Sequence, residues 1–312
     1  MEVNFIQTKP FDESIGLSVC IDLYNQMIKY LNPDATIELT EELVRVILGK
    51  ETDLSQSFLI FENQQEEIIA FAGILKSPMF KGAWMAFYGI LPEYFKSELP
   101  GKVIDATLDL GEKQNPPELL FQTIGDLSAP FDEKLKFLGF KPIHYSWSMY
   151  LDDLSLFSHP GIPKGITIQI QKEIDDYSTC VAIINKAFEG SFKFKPIRER
   201  KWKKIRAEFK KNHIVEYCIA YENNKMIGFC DAFINPKQEN IGLIADLSVP
   251  PNYQHRKIGS ALLATGIETL LEKGCKTINL SVHAENEKAM GLYKKFGFYP
   301  KNNLTEKIYQ II

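Results

Sequence analysis

The chain repeats itself weakly at one fixed offset, and this limits what it can fold into more than any other feature. At a shift of 158 residues, Ile69 and Phe71 fall on Ile227 and Phe229, Pro78 on Pro236, and Pro92 on Pro250. Gly101 falls on Gly259, Ala106-Thr107 on Ala264-Thr265, and Gly139-Phe140 with Pro142 on Gly297-Phe298 with Pro300. One coincidence carries little weight, but an offset kept without a gap from residue 69 to 142 says that one fold occurs twice. A chain of 312 residues is also long for a single core, and two domains of roughly 150 residues are the natural expectation. The Pro and Gly residues of Ser158-His159-Pro160-Gly161-Ile162-Pro163-Lys164-Gly165 oppose both helix and strand. The boundary is therefore expected there, giving domains 1–157 and 158–312.

The second copy has the clearer pattern. Ile166–Ile170 alternates as a strand should, and helices are expected at about 173–188 and 196–211. Strands at 214–221, 226–234 and 241–249 follow, the first two joined by a tight turn at Glu222-Asn223-Asn224-Lys225. A helix from about Arg256 to Lys273 stops at Gly274. A strand at 277–282, a helix at about 287–296 and a last strand near 305–311 complete the order β-α-α-β-β-β-α-β-α-β. That is an α/β fold, a mixed sheet with helices on both faces.

Composition excludes several classes. A net charge of −4 gives no global attraction to nucleic acid or an anionic membrane. No apolar run approaches the roughly 18 residues of a membrane span, and Met1-Glu2-Val3-Asn4-Phe5 has no secretory pattern. The five cysteines are scattered, as expected of reduced, packed thiols in a cytoplasmic protein. The five histidines lack metal-ligand spacing, so no metal is expected.

Chemistry concentrates in two stretches. In Leu247-Ser248-Val249-Pro250-Pro251-Asn252-Tyr253-Gln254-His255-Arg256-Lys257-Ile258-Gly259-Ser260 a strand ends, a loop turns and a helix begins at a glycine. N–H groups at a helix start lack intrahelical partners and lie at the positive end of the dipole, which suits a pyrophosphate. Gln254, Arg256 and Lys257 add donors or charge; an ordinary strand-to-helix turn with a solvated basic loop is the plainer alternative. In the second stretch, Asn286 precedes a helix, Ala289 offers a small surface, and Tyr293 lies on the Ala289 face ahead of Gly297-Phe298. A tyrosine hydroxyl there can protonate or hold a departing thiolate, or simply pack.

Together the two stretches resemble the hallmarks of the GNAT superfamily of N-acyltransferases. One hallmark is (Gln/Arg)-x-x-Gly-x-(Gly/Ala), matched by Gln254 and Gly259 but with Lys257 at the first glycine. The other, Asn-x-x-Ala-x-x-x-Tyr-x-x-x-Gly-Phe, is matched throughout from Asn286 to Phe298. The resemblance implies two tandem GNAT-like domains, each a mostly antiparallel mixed sheet flanked by helices, with its central parallel strands splayed. It implies acetyl-CoA as cosubstrate, bound by the 254–260 loop, by the backbone near Leu247, Ser248 and Val249, and beside Asn286, Ala289 and Tyr293. Tyr293 would then be the acid, and Asp246, a charge amid Ile244, Ala245 and Leu247, the base candidate. Ser248 would share the face of Asp246 by strand alternation, and Glu216 is a weaker base candidate. The implied reaction is direct acetyl transfer to an amine of a small molecule or peptide. A non-enzymatic acyl-CoA-binding sensor or scaffold is the rival, and oligomeric state is not readable.

In the basic segment 196–211, Trp202, Ile205 and Phe209 form an apolar stripe, and its eight Lys and Arg residues are expected to be solvated or to attract an anionic acceptor. The first copy has lost its chemistry: at the same offset Gln254 becomes Lys96, Asn286 becomes Ser128, Ala289 becomes Phe131 and Tyr293 becomes Leu135. Ile258 becomes Pro100, which has no N–H to give. That copy is expected to buttress the second and not to catalyse.

Overall fold

A computed structural model describes residues 6–48, 54–77 and 80–311; Pro78, one of the repeat matches, lies outside them. The chain forms two compact units, residues 1–146 with 302–312, and residues 147–301.

The first unit opens with β1 (Gln7–Pro10), α1 (Leu17–Leu31) and α2 (Glu41–Leu48), then β2 (Phe58–Glu62), β3 (Ile68–Lys76) and β4 (Trp84–Ile90). α3 (Leu99–Gln114), β5 (Leu119–Ile124), α4 (Ala129–Phe137) and β6 (Phe140–Leu151) follow, the last running on into the second unit. The second unit continues with β7 (Ile166–Gln171), α5 (Tyr177–Ala187), α6 (Glu199–Asn212), β8 (Ile214–Glu222), β9 (Lys225–Ile234) and β10 (Ile241–Ser248). It ends with α7 (Ile258–Glu272), β11 (Thr277–His283), α8 (Glu287–Lys295) and the short β12 (Tyr299–Pro300), before β13 (Glu306–Ile311) returns to the first. The fold is thus α/β, with mostly antiparallel sheets flanked by helices. The repeat is visible element by element: α4 and α8 are 158 residues apart at both ends.

In each unit one central pair of strands is parallel and soon parts. β4 and β5 pair only at Trp84↔Leu119 and Met85↔Leu120, and β10 and β11 only from Ile241↔Thr277 to Leu243↔Asn279. In the second unit α7 is apolar nearly all round and buries Ile258, Leu262, Leu263 and Ile267 almost completely. Its close seat depends on missing side chains. A Cβ on Gly242 would come within 2.8 Å of Leu270, and one on Gly228 within 2.8 Å of Leu262. The other face carries α5 and α6, with Trp202, Tyr217, Phe229 and Phe233 in its core. The turn between β8 and β9 places Asn223 and Asn224 at φ 49° and 62°, left-handed values that asparagine tolerates.

The last strand departs from the sequence reading. β13 does not close the second unit. It lies in the first, between β5 and β6, with Ile308 opposite Gln122 and His144. Residues 147–151 of β6 belong instead to the second unit, where Tyr150 pairs with Tyr299. Alternation identifies a strand but does not say which sheet it joins. Among the described residues no helix is long and apolar enough to cross a membrane.

Candidate active site

The second unit brings the two motif stretches to one opening. Past Leu243 and Asn279 the strands β10 and β11 no longer pair. On its other side β10 is bulged: Ala245 opposes Asp231 of β9 and Ser248 opposes Phe229, so Asp246 and Leu247 are skipped. Asp246 adopts φ 42°, a left-handed value that aspartate reaches more readily than most side chains. Such a bulge re-aims a side chain and frees backbone groups from the ladder. It also interrupts the alternation by which Ser248 was expected to share the face of Asp246. Asp246 is 30% exposed, whereas Ser248 is fully buried. At the fork, Asn279 Oδ1 and Ser248 Oγ are buried and lack a hydrogen-bond partner among the described residues.

The loop after β10 leads to the start of α7. Gln254 Nε2 donates to the Val249 carbonyl at 2.9 Å, tying the loop to the strand end. Arg256 is paired through both Nη atoms with Glu222 and lies over the Tyr253 ring. Its charge is therefore held to one side, not left free as the sequence suggested. His255 and Lys257 sit at φ 63° and 61° and are exposed. Lys257 thus adopts the left-handed conformation for which a glycine is usual. We expect Lys257→Gly to stabilise the protein by about 0.5–1 kcal/mol, the relief of the left-handed penalty exceeding the entropy glycine loses. Urea unfolding of the two proteins measures this, and a less stable variant would show that the lysine is held by contacts.

The first backbone bond of α7 runs from the Ala261 N–H to the Lys257 carbonyl at 3.1 Å. The N–H groups of Ile258, Gly259 and Ser260 therefore have no intrahelical acceptor. A Cβ on Gly259 would meet only ordinary contacts, Val249 at 3.8 Å and Leu292 at 3.9 Å, so this turn is not crowded. The matching turn of the first unit has lost this set. There the Leu99 N–H donates to Ser97 Oγ at 3.1 Å, Pro100 has no N–H, and only Gly101 is left.

Tyr293 projects from α8 into the core beneath α7 and is 8% exposed. Burial pushes its hydroxyl well above the usual tyrosine range, so it stays protonated at neutral pH. Asn286 caps α8 by accepting the Ala289 N–H at 3.1 Å, and half-buried Ala289 packs against the same core. The Cys230 thiol lies within electrostatic reach of both Tyr293 and Asp246.

Sequence reasoning missed a buried ion cluster on the α6 side. Arg206, expected to be solvated, is 6% exposed. Its guanidinium packs on Trp202 and Phe233, 4.8 and 5.1 Å from the ring centroids, and bridges Asp231 and Asp246. Asp231 is fully buried, with an oxygen 2.8 Å from Arg206 Nη2 but no aligned hydrogen bond. Burial raises the Asp231 pKa, Arg206 opposes this, and Asp246 adds to it. Two signals were present: Arg206 follows Trp202 by four residues and precedes Phe209 by three, and Asp231 interrupts the apolar run from Ile227 to Ile234. Glu216 belongs elsewhere. It pairs with Lys273 of the segment ending α7 at 2.8 Å, and its strand neighbour Tyr217 points to the opposite face.

Residues 178–298 match the model of the acetyltransferase (GNAT) family. A mycothiol acetyltransferase of Paenarthrobacter aurescens (strain TC1) is 26% identical over 216 residues. That match covers 66% of this chain and 64% of the relative, so the chain spans less than two thirds of its length. Two solved structures share the fold over nearly the whole chain. A GCN5-related N-acetyltransferase from Sphaerobacter thermophilus superposes with a TM-score of 0.69 at 17% identity, covering 98% of this chain and 95% of the other. A tandem GNAT protein from the clavulanic acid biosynthesis pathway gives a TM-score of 0.72 at 11% identity, covering 98% of both.

Proposed function

We propose, on the match of residues 178–298 to the acetyltransferase (GNAT) family, that the second unit transfers an acetyl group from acetyl-CoA to an amine of a small molecule or peptide. The observation that carries this reading is the opening between β10 and β11, which leads to three helix-start N–H groups with no intrahelical acceptor. Donors and dipole at that place suit a diphosphate.

On this reading Ile258, Gly259 and Ser260 hold the pyrophosphate through their N–H groups, with His255 and Lys257 flanking it. The backbone freed near Leu247 and Val249 runs beside the pantetheine amides, as an added strand would. Asn279 Oδ1, buried and unpaired, suits an amide N–H there. Gln254 and Asn286 shape the loop and the helix start, while Arg256 braces the loop through Glu222. Acetyl-CoA supplies a thioester already activated for attack by a neutral amine. Tyr293, kept protonated by burial, gives its proton to the departing sulfur. Asp246 accepts the amine proton, directly or through water, while Arg206 fixes its carboxylate. The transfer is direct: all five cysteines are buried, and burial pushes the Cys218 thiol up to about 12. The same reading expects the enzyme in the cytoplasm.

Thiol release from acetyl-CoA, followed with a panel of polyamines, aminoglycosides, amino sugars and peptides with free N-termini, tests the proposal. Release that depends on at least one amine supports it; hydrolysis alone, or no release with any amine, counts against it. Gly259→Glu, which sets a carboxylate against the diphosphate, is expected to weaken acetyl-CoA binding more than about tenfold, roughly 1.4 kcal/mol. Calorimetry showing unchanged affinity would remove the α7 start from the site.

A further inference from the structure

The first unit has closed its strand opening and kept a cavity behind it. At the 158-residue offset Tyr88 of β4 stands where Asp246 stands, and Phe131 of α4 stands at the small Ala289. The two rings stack with centroids 4.8 Å apart, and the Tyr88 hydroxyl donates to the Gln122 carbonyl of β5 at 2.6 Å. Rings and hydrogen bond thus occupy the space between the parted strands. On the α1 and α2 side of this plug lies a cavity of about 260 Å³, walled by residues such as Met27, Leu31, Val44, Ala86, Ile124 and Phe131.

Most of the cavity's few polar groups are already engaged inside the protein. Thr123 Oγ1 donates to Asp132 at 2.6 Å, Ser128 Oγ to the Gly125 carbonyl at 2.8 Å, and Gln122 Nε2 to Glu306 at 3.1 Å. Among the described residues no Lys, Arg, Asp or Glu side chain lines it. A charged molecule would find no counter-charge in this wall, whereas hydrocarbon would find close contact throughout. An engineered apolar cavity of roughly 150 Å³ holds one benzene ring, so by proportion this one takes a molecule of roughly ten carbons.

We propose that the first unit binds a small, neutral, hydrocarbon-rich molecule, an aromatic ring with a short chain, in the cavity between α1, α2 and the parted strands β4 and β5. The site is separate from the acetyl-CoA opening of the second unit, and its existence does not depend on transferase activity. Half-buried Tyr24 lines the same cavity, and its hydroxyl is the group available to meet one acceptor atom on such a molecule.

The test titrates the full-length protein, with isotope-labelled Ile and Val methyl groups, with n-butylbenzene. Saturable shifts are expected at Ile28, Ile124 and Val44, and none at Ile258 or Ile244 of the second unit. Ala86→Leu adds three carbons to the wall and is expected to weaken binding about tenfold or more. Val44→Phe fills the same space from α2 and serves if Ala86→Leu does not fold. Three results would overturn the proposal: no saturable shift up to the solubility limit, shifts confined to the second unit, or equal affinity in a folded cavity-filling variant.

Discussion

Tyr293→Phe is expected to lower kcat by about 10²–10⁴-fold while acetyl-CoA binds nearly as before. The hydroxyl matters when charge develops on sulfur, so its removal should appear in the transition state and not in the ground state. The structure supports this division. Tyr293 is buried against the core under α7, and the groups assigned to the diphosphate lie on the α7 start, not on α8. Phenylalanine keeps the ring contact with Phe298, 6.0 Å between centroids, so packing should survive. Because burial raises the hydroxyl pKa, Tyr293 stays protonated across the working range, and any loss of rate in mild alkali must come from another group. Steady-state kinetics with the best acceptor, together with calorimetry for acetyl-CoA, separate the two quantities. A fall of less than about threefold in kcat would leave Tyr293 a packing residue.

Arg206→Leu is expected to cost about 3–5 kcal/mol of stability near pH 8, because it leaves a fully buried carboxylate without its counter-charge. The loss should shrink in mild acid. Burial already raises the folded pKa of Asp231 above its unfolded value near 3.9, and removing Arg206, the opposing influence, raises it further. A carboxyl whose folded pKa is raised contributes stability that is full below the unfolded pKa and is lost as pH rises through the folded one. In the variant, folded Asp231 therefore keeps its proton to a higher pH while the unfolded chain ionises near 3.9, so the cost of holding that proton grows from pH 5 to pH 8. Denaturant unfolding at both pH values measures the difference. An equal loss at pH 5 and pH 8 would mean that Arg206 stabilises through its packing on Trp202 and Phe233, not through its charge.

How far the sequence reached depends on the range of the interactions involved. Helix and strand identity follow from local periodicity, so the elements of the second copy appear close to where they were expected. The last helix was expected at about 287–296 and is found at Glu287–Lys295. The 158-residue offset is a property of the chain itself and carries over to β2 to β5, α3 and α4. The placement of β13 was hidden because its pairing with β5 and β6 bridges more than 150 residues of sequence and leaves no local mark. Arg206 was misread because composition counts charges without regard to face, and its counter-ions lie on β9 and β10. The left-handed Lys257 and the bulge at Asp246 were hidden because neither residue type announces such a backbone. The two motif stretches were legible because a helix start with free donors and a capped helix bearing a tyrosine are local constructions.

The central claim is that one of the two repeated units, the second, is the acetyl-CoA-binding catalyst. Its support is the contrast between three free donors at Ile258–Ser260 and the Ser97, Pro100 and Tyr88 substitutes that close the first unit. Isothermal calorimetry of acetyl-CoA with the intact protein and with Gly259→Glu tests it most directly. The account predicts one site per chain in the intact protein and no tight site in the variant; two sites in the intact protein, or one tight site surviving in Gly259→Glu, would contradict it.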